Sequence, residues 1–238
     1  MVKLSTRLKI VYDMIDNCGC IADIGCDHGY LSIAIAQGQK ADRVIAMDVN
    51  RGPLDAAKAN VTAAGLSDVI ELRLSDGMKK LSVGEAAGIC ICGMGGLLMK
   101  RIVDAGLDCA KEAKYLILEP QSEYLELRSY LYNEGFCFDL EDIVIEENKT
   151  YPIMKVHYEP NDEKREHLNG LQLKFGPRLL ESKPELFIKY LDKQEAELSE
   201  IKGKLVEKMQ ENATNVPINA RIEQLTSELE LIKEARSW

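Results

Sequence analysis

Proline is scarce, at 7 of 238 residues, and glycine, at 17, is near its average share. Collagen-like, low-complexity and wholly disordered chains are therefore excluded, while 46% apolar and 29% charged residues match a globular protein able to bury a core. No apolar run approaches the roughly 20 residues that span a bilayer, so no membrane partner is expected. The start, MVKLSTRLKIVYDMI, carries charges at Lys3, Arg7, Lys9 and Asp13 that interrupt any signal-peptide core, which makes the cytoplasm the expected location. Only three histidines are present. Cys18-x-Cys20 and Cys90-x-Cys92 lack the CxxC spacing of zinc sites, and strand alternation accounts for a two-residue spacing equally well, so no metal is expected. The seven cysteines, at 18, 20, 26, 90, 92, 109 and 137, are odd in number, lie mostly in apolar runs and read as reduced thiols. Nor is there an excess of positive charge. Lys+Arg stand at 17 against 24 Asp+Glu over 1–160, and at 13 against 15 over 161–238. A nucleic-acid partner would need a local basic cluster rather than a basic face.

What is present is a regular alternation. Cys20–Ile24, Arg43–Met47, Val69–Leu72, Ile89–Cys92 and Tyr115–Leu118 are short runs rich in Ile, Val, Leu and Cys, the pattern of strands buried on both faces. Amphipathic stretches Leu31–Gln37, Gly52–Ala64, Gly96–Ala105 and Glu123–Asn133 separate them, and residues 4–15 form a helix ahead of the first strand. This predicts the α/β class, a parallel Rossmann-like sheet wrapped by helices. Phe136–Glu141 and Ile153–Tyr158 follow with no helix between them and predict an antiparallel closing hairpin. Beyond Glu159 the chain reads as helical throughout. Ile188, Leu191, Leu198, Ile201, Leu205 and Met209 recur mostly at three or four, and after a break at Glu211–Pro217 so do Ile218, Ile222, Leu225, Leu229 and Ile232. The expected domains are an α/β unit at 1–159 and, at 160–238, an antiparallel helical hairpin of coiled-coil type, either protruding or packed on the first.

The first strand runs into Asp23-Ile24-Gly25-Cys26-Asp27-His28-Gly29-Tyr30. Gly25 and Gly29, four apart, allow a tight strand-to-helix turn and close approach of a nucleotide-type ligand. The spacing is not GxGxxG. Asp23 and Asp27 would repel a pyrophosphate, whereas a cofactor bearing an ammonium and a sulfonium suits them. The second strand ends in Asp48-Val49-Asn50, where a carboxylate can accept from both hydroxyls of a ribose. The third is followed by Ser75-Asp76-Gly77, whose Asp can accept from an adenine amino group, and the fourth ends in Cys92-Gly93-Met94-Gly95-Gly96, which keeps bulk out of a cleft. Each feature alone has a bland alternative as an ordinary turn or hinge. Together, at the carboxyl ends of consecutive strands, they assign Asp23, Gly25, His28, Gly29, Tyr30, Asp48, Val49, Asn50, Asp76, Gly77, Gly93 and Met94 to one site, with S-adenosyl-L-methionine as its cofactor.

DIGCDHGYLSIAIA, AMDVNRGPLDAAKAN, LSDGMKKL, ICGMGGLLM, LILEPQ and EENKTY, in this order, resemble the bacterial TrmK family of S-adenosylmethionine-dependent tRNA (adenine-22-N1)-methyltransferases. The resemblance runs over residues 4–158, and the helical tail matches that family's appended coiled-coil domain in kind. It implies a class I methyltransferase sheet, tRNA as partner and methyl transfer to N1 of adenine-22; a monomer is the expected state. Glu119 in LILEPQ stands where an uncharged amide is expected, which leaves that position's role open. Asp27 is the candidate catalytic carboxylate, accepting from the exocyclic amine as the ring becomes cationic, or else holding the loop or the cofactor's ammonium. His28 is a hydrogen-bond candidate and Tyr30 a stacking candidate, with backbone anchoring and packing on the sheet as their alternatives. Lys149 and Tyr151, by resemblance, and Arg7 on the first helix are candidates for touching the substrate, or else solvated surface residues. No Asn/Asp-Pro-Pro-Tyr motif follows the fourth strand, which argues against methylation of an exocyclic amine. A methyltransferase of small molecules or proteins, and a non-enzymatic module with a vestigial cleft, are the rival readings.

Overall fold

The apolar runs form one seven-stranded sheet in the structure, a computed structural model that describes residues 2–211 and 216–238 and no side chain within 209–217. Along the chain come α1 (Thr6–Met14), β1 (Cys18–Ile24), α2 (Tyr30–Gln37), β2 (Ala41–Asp48), α3 (Arg51–Ala63), β3 (Ile70–Leu74), β4 (Gly88–Met94), α4 (Gly96–Ala105), α5 (Leu107–Glu112), β5 (Tyr115–Pro120), α6 (Tyr124–Asn133), β6 (Phe136–Glu146) and β7 (Lys149–Tyr158). The strand order is β3-β2-β1-β4-β5-β7-β6, parallel through β5, with β7 antiparallel to both β5 and β6. The order reverses between β1 and β4, the switch point beyond whose strand tips a doubly wound sheet leaves a crevice.

Both faces of the sheet are covered, which is why its strands read as unbroken apolar runs. On β2, Ile45 and Met47 join one buried cluster with Met99 and Val103 of α4 and Leu127 and Leu131 of α6. Val44 and Ala46, pointing the other way, join Val11 of α1, Ile33 and Ile35 of α2, and Ala57 and Val61 of α3. The closing hairpin is longer than expected. Its turn residues Glu147 and Asn148 both have positive φ, at 50° and 62°, the geometry of a tight hairpin turn that extends pairing to Glu146–Lys149. The short α5 has no counterpart among the expected elements.

The chain divides into two compact units, Met1–Leu168 and Asn169–Trp238. The stretch after Glu159 is not continuous helix. Pro160 starts it, and the Asn161 side chain accepts from Glu163 N–H, leaving a single 3-10 turn at Asp162–Lys164. The second unit begins with α7 (Gly170–Phe175), held by a reciprocal Asn169–Gln172 capping box, and α8 (Pro177–Ser182). The long helices α9 (Glu185–Glu211) and α10 (Val216–Ser237) then run antiparallel: Lys183 Nζ donates to Arg236 O and Trp238 O at 3.0 Å each, and Arg236 pairs with Asp192 and Glu195. Phe187, Leu191, Leu225, Ile232 and Ala235 are fully buried. One seam position differs from expectation: Ile201 is exposed, while Lys202 is half-buried between Leu198 and Leu205. Four residues after Leu198 and three before Leu205, position 202 fits the seam spacing as well as 201 does, and a lysine can fill it with its aliphatic stem. Of the break expected over Glu211–Pro217, residues 212–215 lie outside the described residues, as does the Met209 side chain. Among the described residues no helix is long and apolar enough to cross a membrane.

Candidate active site at the strand tips

A cleft of about 440 Å³ opens across the tips of β3, β2, β1, β4 and β5. The turn after β1 is pinned to the neighbouring strand, with Gly25 and Cys26 N–H donating to Met47 O at 2.7 and 2.9 Å. Gly25 has φ 75°, a left-handed conformation that residues with side chains rarely adopt, so glycine serves the turn after β1. Asp23 is buried and accepts from Ser32 Oγ at 2.6 Å. Burial pushes its carboxyl up to about 6, against the pull of the Ser32 hydrogen bond. Asp27 is left-handed at φ 49° and exposes its carboxylate 3.6 Å from His28 Nε2.

Asp48, buried at the tip of β2, ties two loops together: Oδ2 accepts from Asp27 N–H at 3.3 Å and Oδ1 from Asn50 N–H at 2.8 Å. A carboxylate offers about four acceptor sites, so it keeps capacity for a ligand. The His28 and Tyr30 rings stack with centroids 5.8 Å apart, and His28 O accepts from Asn60 Nδ2 at 2.9 Å. Asp76 pairs with Lys79 at 2.5 Å, and Gly77 lies against the Ile102 side chain. Asp23, Gly25, His28, Tyr30, Asp48, Val49, Asn50, Asp76, Gly77, Gly93 and Met94 all line this one cleft, together with Asp27 and Arg7. Gly29 does not. It caps α2 in a left-handed conformation, and a Cβ on it would lie 3.2 Å from Ala57 Cβ, so its glycine serves the packing of α2 on α3. Four aspartates, Glu119 and one arginine on the wall make the cleft acidic, which suits a cationic ligand better than a pyrophosphate.

A family model described as TrmK, tRNA (adenine(22)-N(1))-methyltransferase, matches residues 21–234. The chain belongs to the TrmK family. A tRNA (adenine(22)-N(1))-methyltransferase from Bacillus subtilis (strain 168) is 32% identical over 234 residues, spanning 98% of this chain and 97% of that one. Among solved structures, the B. subtilis m1A22 tRNA methyltransferase TrmK matches with a TM-score of 0.85 at 30% identity, over 99% of each chain. M. capricolum TrmK, solved in complex with its cofactor product S-adenosylhomocysteine, matches with a TM-score of 0.77 at 27% identity, over 96% of this chain and 99% of that one. TrmK membership makes the sheet that of a class I methyltransferase, as its strand order implies, and the match spans both compact units.

The remaining TrmK candidates cluster at the β5 side. Arg7 reaches the cleft from α1, with its guanidinium carbon 5.1 Å over the Tyr151 ring. Tyr151 is half-buried behind it, and Lys149 is exposed at the hairpin turn; neither lines the cleft. Polar residues on the wall that the motifs did not assign are Ser75, Glu119 and Gln121. The signal for the last two lay in the LEPQ stretch, whose place at the end of a central strand puts them beside the switch point. All seven cysteines are free; burial pushes the Cys26, Cys90 and Cys92 thiols well above their ordinary value, which suits strand-end packing rather than nucleophilic attack.

Proposed function

We propose that this chain transfers the methyl group of S-adenosyl-L-methionine to N1 of adenine-22 in tRNA, acting as a monomer in the cytoplasm. The reading is carried by an acidic, glycine-turned cleft at the switch point of a chain that matches the TrmK family model over residues 21–234. The cleft volume lies within the roughly 300–1,000 Å³ that small-molecule sites occupy. When bound, S-adenosyl-L-methionine supplies an electrophilic methyl group on a sulfonium. Asp48 would accept from the ribose hydroxyls, Asp76 and Gly77 would border the adenine, and Asp23 and Gly25 would hold the amino-acid end. Adenine N1 has its own lone pair, so no side chain need remove a proton before attack, and positioning dominates.

N1 is used in Watson–Crick pairing, so the target base must be unpaired or drawn out of its stack, and Arg7 over Tyr151 offers it a flat surface. Asp27 would accept from the exocyclic amine as the ring becomes cationic. Asp27→Ala is then expected to lower kcat about tenfold or more while changing product affinity less than about threefold; the reverse pattern would reassign Asp27 to the cofactor. The helical unit is read as a tRNA-binding element. Removing residues 169–238 is expected to leave S-adenosylhomocysteine binding intact and to weaken tRNA binding, and equal tRNA affinity in a gel-shift titration would take the hairpin out of recognition. The experiment for the whole reading is methylation of a tRNA transcript bearing adenine at position 22, with the modified nucleotide mapped by mass spectrometry. Transfer to a metabolite or a protein instead of tRNA would overturn it.

A further inference from the structure

Glu119 is wholly buried, although it closes one wall of the cleft. Its Oε2 accepts from Gly93 N–H at 2.7 Å, and its two oxygens face Arg7 Nη1 at 3.3 and 3.4 Å. Gly93 is left-handed at φ 75° and sits where β4 leaves register with β5 before Met94. One carboxylate therefore joins three elements: the tip of β4, the tip of β5 and the first helix. Arg7 is held at a second point, its Nε 3.2 Å from Glu146 Oε2 on β6, within ion-pair range though out of line for a hydrogen bond.

Burial raises the Glu119 carboxyl above its ordinary value, and Arg7 with the Gly93 N–H pulls it back. Burial would likewise lower the Arg7 pKa, and Glu119 and Glu146 more than reverse this. Each group thus offsets part of the other's desolvation. A neutral amide could have accepted from Gly93 N–H equally well, so the charge at 119 is accounted for by Arg7. Glu119 is desolvated while Arg7 stays partly exposed, and such a pair contributes little net stability, so a role beyond folding is the better explanation.

The location suggests that role. With a ribose at Asp48 and the amino-acid end of the cofactor at the β1 turn, the β4–β5–α1 side is left for the methyl acceptor. Arg7 is the one cation on the cleft wall among the described residues. The acceptor ring becomes positive on methylation, so an unneutralised guanidinium beside it would oppose the reaction. Glu119 and Glu146 together turn the group net negative. Resting on the function proposed above, we infer that Glu119 is a positioning residue for methyl transfer: it fixes Arg7 over Tyr151 and neutralises it, so that the target adenine meets a prearranged, net-acidic platform.

The test uses the full-length chain with Glu119→Gln, Arg7→Ala and the double variant. Thermal melting, calorimetric binding of S-adenosylhomocysteine, and kcat and KM for tRNA are read on each. Glu119→Gln is expected to bind S-adenosylhomocysteine within about threefold of wild type and to lose about tenfold or more in kcat/KM for tRNA. Because Glu119 acts through Arg7, the double variant should be no worse than Arg7→Ala within about threefold. Penalties that multiply, an unchanged kcat/KM in Glu119→Gln, or a loss of S-adenosylhomocysteine affinity equal to the kinetic loss would each overturn the inference while the wild type remains a tRNA methyltransferase. A wild-type chain that methylated no tRNA would instead remove the functional reading, and this inference with it.

Discussion

Replacing Asp48 by alanine is expected to weaken S-adenosylhomocysteine binding by about 3 kcal/mol, roughly a hundredfold, in a calorimetric titration. Two losses combine. Hydrogen bonds to a charged acceptor contribute about 1.5–3 kcal/mol each, and two ribose hydroxyls would lose theirs. The same carboxylate also receives Asp27 N–H and Asn50 N–H, so its removal loosens the loops after β1 and β2 that frame the cleft. Asp48→Asn, which keeps one neutral acceptor, should fall between the two. An affinity within about threefold of wild type in the alanine variant would take Asp48 out of the ribose role.

Asp23→Asn is expected to stabilise the ligand-free protein at neutral pH by up to about 3 kcal/mol while weakening its hold on a cationic ligand. Burial raises the Asp23 carboxyl from 3.8 to about 6. Between these values the folded chain holds a proton that the unfolded chain has released, so stability falls as pH rises from about 4 to about 6 and stays lower above that. Asparagine has no proton to lose and can still accept from Ser32 Oγ, so the step should vanish from denaturant curves taken across that range. The ligand works in the opposite direction. An ammonium brought to Asp23 favours its ionised form, so S-adenosylhomocysteine affinity should fall as pH drops below about 6 in the wild type and not in the variant. Parallel pH profiles for the two proteins would remove Asp23 from contact with that charge. Stability lost in the empty site and recovered on binding is the usual pattern of a functional buried carboxylate.

The five parallel strands were legible because both faces of the sheet are covered, so apolar runs such as Ile89–Cys92 mark them directly, with bounds that differ from the observed strands by at most two residues at either end. The hairpin was half legible. The β6 residues Asp139, Leu140 and Ile145 are exposed, which breaks the apolar signal, and the positive-φ pair at Glu147 and Asn148 carries no glycine to mark the turn. At the cleft, the motifs at the four strand tips found the aspartates, because short loops at a switch point have few ways to point. The Glu119–Arg7 pair was not legible. Its partners are 112 residues apart in sequence, and no local pattern tells which helix comes to rest on which strand tip. Ile201 misled for a related reason: spacings of three and four locate a stripe, but only the partner helix decides which of two adjacent positions faces it.

The strand order also governs when the molecule can be made. β1 lies inside the sheet between β2 and β4, yet β4 is synthesised only after β2 and β3. The cleft wall draws on the tips of all strands from β3 to β5, and Arg7, made 112 residues earlier, must wait for Glu119. A nascent chain stopped before Tyr115 would therefore carry both glycines of the first turn and every aspartate of the wall and still lack the carboxylate that holds Arg7.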